Sequence, residues 1–240
     1  MPMQPTHLIH NTEARALAHP FIRFGRRVVD YYVRGYHRFT VLAPCTLPQQ
    51  GPAILVCNHI SGVDPILIQS VCPRIILWMV AREYCQIRPL RRFFRLIDAI
   101  PVERTGRDLA ATRAAMRALA DGRVLGVFPE GRISLAGALL PFQTGVALMA
   151  LRSSAPVYPA SIEGTMRGQE VLDSFLYPHT GAIAFGPAVP FDTSDTSRHA
   201  IDIYTLRVQQ AVAHLANRYH SPPPGLFKTP APFHFSQDFL

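Results

Sequence analysis

The chain has 240 residues, 48% of them hydrophobic, with 22 prolines and 15 glycines, a length that fits one large domain. At 17% charged residues and a mean hydropathy of +0.12 it is too apolar for a disordered chain, and it reads as a globular body with a membrane-facing surface. Twenty-four Lys and Arg against 16 Asp and Glu give a net charge of +8, which predicts attraction to something anionic. Lys228 is the only lysine, so every other basic residue is an arginine, a permanently charged fork suited to phosphate. A Walker-type loop needs Gly-Lys-Ser/Thr and is excluded, as is Schiff-base catalysis by any residue but Lys228.

Met1 to Pro20 lacks the basic start and apolar run of a signal peptide, so a cytosolic location is expected. From Phe21 to Phe39, Arg23, Arg26, Arg27, Asp30, Arg34 and Arg38 fall within an arc of about 120° at helical spacing. Phe21, Phe24, Val28, Val29, Tyr32, Tyr36 and Phe39 fill the remaining arc. That pattern predicts a basic amphipathic helix, suited to an anionic membrane interface or to packing on the core. Residues 1–40 are therefore expected to form a membrane-associating segment, 41–220 the folded domain and 221–240 a Pro-rich tail.

Short β-rich runs then alternate with helical patterns, the signature of an α/β fold: a central, mostly parallel or mixed sheet flanked by helices. The predicted strands are Ala53–Cys57, Ile75–Val80, Asp98–Val102, Val124–Phe128, Val157–Ile162 and Ala182–Phe185. Asp108–Asp121 has helical periodicity and ends at Gly122, a C-cap glycine; a last helix covers about Ala200 to Tyr219. The charge-free run Ile133 to Leu151 is long enough to span a bilayer, but Pro141, Gln143 and Thr144 break it. A loop entering a buried helix from about Phe142 fits better. Cys45, Cys57, Cys72 and Cys85 show neither Cys-x-x-Cys spacing nor a companion His pair, and read as buried thiols in a reducing compartment. No metal site is indicated.

Three segments carry chemistry. The strand Ala53–Cys57 runs into Asn58-His59-Ile60-Ser61-Gly62-Val63-Asp64. Five residues apart on one helix, His59 and Asp64 would face away from each other; across a strand-to-helix turn they can pair. An Asp holding one imidazole nitrogen leaves the other free as a general base. Ser61-x-x-Asp64 also reads as a helix-capping box. The second segment, Asp98 to Arg104, leads from a strand to an arginine, and the third, Val124 to Ser134, leads from a strand to Glu130 and Arg132. In a parallel sheet all three would open into one crevice at the carboxyl ends of the strands.

These residues resemble the lysophospholipid (glycerophosphate) acyltransferase family, whose hallmark is Asn-His, four residues, then Asp. Four blocks match in order and spacing: Asn58 to Asp64, Ile97 to Arg104, Phe128 to Ser134, and Ala155 to Ala160, within about Arg38 to Gly186. The resemblance implies transfer of a fatty acyl chain from coenzyme A or acyl carrier protein, as co-substrate, to a free hydroxyl of a lysophospholipid such as lysophosphatidic acid. It needs no cofactor and places the chain on the cytoplasmic face of a membrane. It further implies His59 as base held by Asp64, with oxyanion donors from the backbone turn after His59. Arg82, Arg104, Glu130, Gly131 and Arg132 would bind the acceptor phosphate, and Asn58, Pro156 and Pro159 would shape the site. The chain departs from the family pattern with Asp98 where glycine is common, Arg132-Ile133 in place of Thr-Arg, and Arg82 in place of lysine. Those departures look more like the acyltransferase half of bacterial acyl-glycerophosphoethanolamine enzymes, so an ethanolamine or ornithine lysolipid is an alternative acceptor. A CoA-independent transacylase would use the same pair. Nucleic acid is not an expected partner, since no recognition motif is present.

Overall fold

The computed structural model describes residues 24, 27–29, 31–104, 108–134, 138–165, 173–192 and 195–219. Seven strands form one sheet: β1 (Thr40–Ala43), β2 (Ala53–Cys57), β3 (Ile76–Ala81), β4 (Ile100–Val102), β5 (Val124–Val127), β6 (Val157–Glu163) and β7 (Ala182–Phe185). Their spatial order is β1-β7-β6-β2-β5-β3-β4. Strands β6, β2, β5, β3 and β4 are parallel; β7 runs antiparallel to β6, and β1 follows β7. The mixed sheet read from the sequence is thus the observed one, with the reversed pair at one edge.

Strand β2 lies at the centre and all five of its residues are buried. Alternation divides them between two cores. Ile54 and Val56 face a layer built from α4 (Leu109–Ala120), α5 (Gly145–Ser153) and α7 (Arg198–Tyr219), packing with Leu125, Ala115, Val146 and Val208. Ala53, Leu55 and Cys57 face α1 (Asp64–Val71), with Leu67, Ile68, Trp78 and Phe39. The carboxyl ends of five parallel strands therefore open on one edge of a three-layer sandwich.

The segment after β3 forms two helices the sequence reading did not name, α2 (Arg82–Gln86) and α3 (Arg88–Leu96); short α6 (Asp173–Leu176) precedes β7. Helix α4 starts at its Asp108 N-cap, whose side chain accepts from Ala111 N–H, and ends before Gly122 at φ +73. Helix α5 begins three residues beyond Phe142, and no described helix is long and apolar enough to cross a membrane.

Four expectations are corrected. β4 starts at Ile100 rather than Asp98, because Asp98 sits at φ +53 and cannot continue an extended strand. That left-handed geometry is also the physical reason glycine suits this position. The strand β1 was missed: it is a four-residue edge strand with Thr40, Val41 and Leu42 exposed. Of the cysteines, Cys57 and Cys72 are buried, but Cys45, in the loop after β1, and Cys85, on α2, are partly exposed.

Last, the segment 21–39 is not one regular α-helix. Of its residues, 21–23, 25, 26 and 30 lie outside the described ones; Phe24 and Arg27–Val29 are helical, and Tyr31–Tyr36 is a π-helical turn. The His37 amide donates to Tyr32 O at 3.0 Å, a five-residue step that widens the turn. Val33, His37 and Phe39 consequently point into the core while Phe24, Val28 and Tyr31 stay exposed. The tail from 220 onward also lies outside the described residues.

Candidate active site

Asn58 is the first residue past β2, and its side chain acts as one more rung of the sheet. Its Nδ2 donates to Ile162 O at 2.9 Å and its Oδ1 accepts from Ile162 N–H at 2.9 Å, tying the β2 end to β6. The chain then turns sharply into α1, whose first residue is Asp64, with Pro65 beside it in the first turn. This turn brings His59 back over Asp64, and the two side chains meet with Nδ1 and Oδ2 3.0 Å apart.

Asp64 is fully buried and its carboxylate is saturated. Oδ2 accepts from the amides of Ile60 at 2.9 Å and Ser61 at 2.8 Å as well as from the ring, and Oδ1 accepts from Thr165 Oγ1 at 2.7 Å. A carboxylate only accepts, so the proton between the pair resides on His59 Nδ1, and the lone pair is on Nε2. The imidazole is 16% exposed, enough for a ligand to reach it.

The ring is also held by stacking. Phe128 lies parallel to it with centroids 4.0 Å apart, and Trp78 stacks on the far side of Phe128 at 5.0 Å. Trp78 can lie over β5 because its partner there is Gly126, where a Cβ would fall 2.6 Å from Trp78 Cε3.

The loop after β5 grips the main chain of His59 twice. Glu130 Oε1 accepts from His59 N–H at 2.8 Å, and Ser134 N–H donates to His59 O at 2.7 Å. The second Glu130 oxygen accepts from Leu140 N–H at 2.8 Å. Burial pushes the Glu130 carboxyl up from its ordinary value. Gly131 turns this loop at φ +70, a left-handed conformation that side-chain-bearing residues rarely adopt, and the Gln143 side chain lies over it.

The residues expected to shape or bind the acceptor are thus not equivalent. Glu130 faces backbone amides with both oxygens, an arrangement that positions His59 rather than presents a charge to phosphate. Arg132 is exposed on the loop beside His59. Arg82 and Arg104 lie at the ends of β3 and β4, two and three strands from β2, so about 10 and 14 Å to the side. There Arg82 pairs with Glu103 and approaches Asp108 Oδ2 at 3.6 Å, and Arg104 pairs with Glu83. The Arg82–Glu103 and Arg104–Glu83 pairs are exposed, so exchange for an incoming phosphate costs little there. Pro156 O accepts from Ile54 N–H, and Pro159 sits in β6 opposite Val56 with its carbonyl accepting from Gly186 N–H. Both prolines support the strand behind the site.

The turn after His59 does not offer its first two amides as oxyanion donors, because Ile60 and Ser61 N–H both belong to Asp64. Nor does Ser61 complete a capping box: its hydroxyl is buried without a partner, and the α1 N-cap is Val63. Only the reciprocal half exists, from Asp64 back to Ser61 N–H. Thr165 was missed by the sequence reading, since it lies 101 residues from the Asp64 it contacts and follows β6 as an isolated threonine. Among the described residues no cluster of three or more metal-ligating side chains occurs.

The fold has a known counterpart. The crystal structure of the 1-acyl-sn-glycerophosphate (LPA) acyltransferase PlsC from Thermotoga maritima superposes with a TM-score of 0.60 at 21% identity, covering 90% of this chain and 92% of that one. A 1-acyl-sn-glycerol-3-phosphate acyltransferase of Bacillus subtilis is 27% identical over 126 residues, 52% of this chain and 62% of that protein. The human 1-acyl-sn-glycerol-3-phosphate acyltransferase beta is 26% identical over 152 residues, 58% of this chain and 55% of that protein. The chain thus matches less than two thirds of the length of these curated relatives. Residues 38–163, just over half of the chain and the stretch holding His59, Asp64 and Glu130, match the Acyltransferase family model, and the chain belongs to that family.

Proposed function

We propose that the chain transfers a fatty acyl group from an acyl thioester, on coenzyme A or acyl carrier protein, to the free hydroxyl of lysophosphatidic acid or a closely related lysophospholipid. The observation that carries this reading is the His59–Asp64 pair, with Nδ1 engaged at 3.0 Å and Nε2 without a hydrogen-bond partner among the described residues, at the open edge of the sheet. Nε2 removes the acceptor hydroxyl proton as its oxygen attacks the thioester carbonyl, and the buried Asp64 carboxylate stabilises the imidazolium that forms. The tetrahedral intermediate collapses with loss of the thiolate, which takes the proton back from Nε2. No covalent enzyme intermediate and no cofactor is required.

Arg132 is the first candidate for the acceptor phosphate, because it is exposed on the loop bonded to His59. Arg82 and Arg104, further along the same sheet edge and paired with Glu103 and Glu83, are the second candidates. A peripheral position on the cytoplasmic face of a membrane is part of the same proposal, and contact with an anionic surface is supported by exposed Phe24, Val28, Tyr31, Leu176 and Tyr177 and by exposed Arg88, Arg91, Arg92 and Arg95 on α3.

The test is thiol release from acyl-CoA, then from acyl carrier protein, with lysophosphatidic acid, glycerol 3-phosphate, lysophosphatidylethanolamine and an ornithine lysolipid as acceptors. Release that depends on lysophosphatidic acid and vanishes in His59→Ala is the expected result. Preference for another head group would move the acceptor assignment. Acyl exchange between lipids without any thioester would replace the reaction by transacylation.

A further inference from the structure

Cys45 and Cys72 approach with their sulfurs 3.6 Å apart. Cys45 follows β1 and is partly exposed; Cys72 caps the C-terminal end of α1 and is buried. We infer that these two thiols form a reversible, peroxide-driven disulfide that fastens the far end of the helix carrying Asp64 to the segment joining β1 and β2.

Side-chain hydrogen bonds already tie the segments that carry the two thiols in place. Beyond Cys72, the Arg74 guanidinium donates to Pro48 O at 3.1 Å and Gly51 O at 2.7 Å in the segment that carries Cys45, and to Gly122 O at 2.7 Å. Gln69 of α1 closes the turn between them, its Nε2 donating to Arg74 O at 2.9 Å and its Oε1 accepting from Ile76 N–H at 2.9 Å. Next to Cys45, Thr46 Oγ1 donates to Gly186 O at 2.5 Å. Disulfide formation thus requires the sulfurs to close from 3.6 Å to about 2 Å, a displacement within reach of side-chain rotation.

The two sulfurs are chemically unequal in a way that suits a two-step oxidation. The hydrogen bond with Cys72 brings the Cys45 thiol down to about 7, against the upward pull of its own burial, so the more exposed partner is about half thiolate at neutral pH. The same bond and burial push Cys72 up, keeping it a thiol until its neighbour is oxidised. The Cys45 thiolate attacks hydrogen peroxide, the O–O bond breaks, and sulfenic acid and hydroxide form. Cys72 sulfur then displaces the sulfenic hydroxyl, making the S–S bond and, with the thiol proton, water. Two thiols and one peroxide give one disulfide and two waters. Cys57 is fully buried with its Sγ turned to Asn58 Oδ1, and Cys85 lies on α2, so neither is the expected partner.

The full chain is treated with stoichiometric hydrogen peroxide, alkylated, and mapped by non-reducing peptide mass spectrometry. The expected result is one intramolecular Cys45–Cys72 link, a mass loss of about 2 Da for the two hydrogens removed, and full reversal by dithiothreitol. In Cys72→Ser the oxidation should stop at a dimedone-reactive sulfenic acid on Cys45. A bridge through Cys57 or Cys85, or wild-type Cys45 advancing to sulfinic acid while Cys72 stays a free thiol, overturns the inference. The wild-type map decides the matter even if the variant does not fold, and it is independent of any acyl-transfer assay.

Discussion

The Glu130 carboxylate holds the main chain of His59 and not its ring: Oε1 takes the His59 N–H at 2.8 Å, while Oε2 takes Leu140 N–H from the far side of the same loop. Glutamine has one acceptor oxygen and would present an amide donor to one of these N–H groups. Glu130→Gln is therefore expected to lower kcat about tenfold, the cost of one buried hydrogen bond near 1.4 kcal/mol, with acceptor KM little changed. Steady-state kinetics with varied acceptor checks this. A large KM increase with intact kcat would instead mean that Glu130 touches the acceptor.

His59→Ala should reduce turnover by about 10²–10⁴, the usual worth of a general base. Asp64→Asn should fold, because its amide group can face Thr165 Oγ1 while its oxygen keeps the place of Oδ2. It should still lose activity of the same order, since the imidazolium loses its counter-charge. Thr165→Val removes one neutral-donor bond to that carboxylate and is expected to cost roughly tenfold. Thiol release under saturating substrates, with circular dichroism as the folding control, separates the three.

Arg132→Ala should raise acceptor KM more than donor KM, while Arg104→Ala should have a smaller effect, being further along the sheet and already paired with Glu83. Varying each substrate in turn distinguishes the two arginines; equal effects on acyl-CoA would remove Arg132 from the acceptor side.

Much of this arrangement was legible in the chain. The β2 strand, the sharp turn and the His59–Asp64 pairing follow from an apolar run ending in a polar, turn-forming heptad, because strand and helix starts are set by local chemistry. What the sequence hid was long-range. Glu130 carries the same charge whether it meets a phosphate or two amides, and Thr165 has no local pattern to mark it. The π-helical turn escaped because a regular 100° spacing was assumed, and one wider turn moved His37 from the charged arc into the core.

That buried His37 makes stability fall in acid. Its ring is fully buried and stacks on His179 at 4.8 Å, with Tyr32 and Tyr36 edge-on around it; burial, and then the second imidazole, hold its pKa near 4 instead of 6.5. The unfolded chain thus binds a proton that the folded one refuses, so the His37 contribution is complete above pH 6.5 and is lost as pH falls towards 4. The loss amounts to about 3 kcal/mol over that window. Urea unfolding at pH 7 and pH 4.5 should show a smaller acid penalty in His37→Phe than in the wild type.

Gly126→Ala is expected to destabilise the fold by about 1–3 kcal/mol, because its Cβ would lie 2.5 Å from Ile76 Cγ2 and 2.6 Å from Trp78 Cε3 in the middle of the sheet. Trp78 must shift, Phe128 with it, and the His59 ring loses its platform. Turnover should drop beyond what the lower stability explains, measured well below the melting temperature.

The Asn58 rung has a consequence for how such a chain can change over time. Its side-chain amide copies a peptide group against Ile162, so the base stands where the sheet has not yet ended and inherits the stiffness of five parallel strands. The arginines proposed for head-group recognition instead project from exposed loop and helix positions outside both cores. In the proposed reaction the arginine side chains contact neither His59 nor Asp64, so exchange of Arg82 or Arg104 would alter head-group recognition and leave the buried contacts of the pair in place, whereas Arg132 shares its loop with the Glu130 and Ser134 contacts to the His59 main chain.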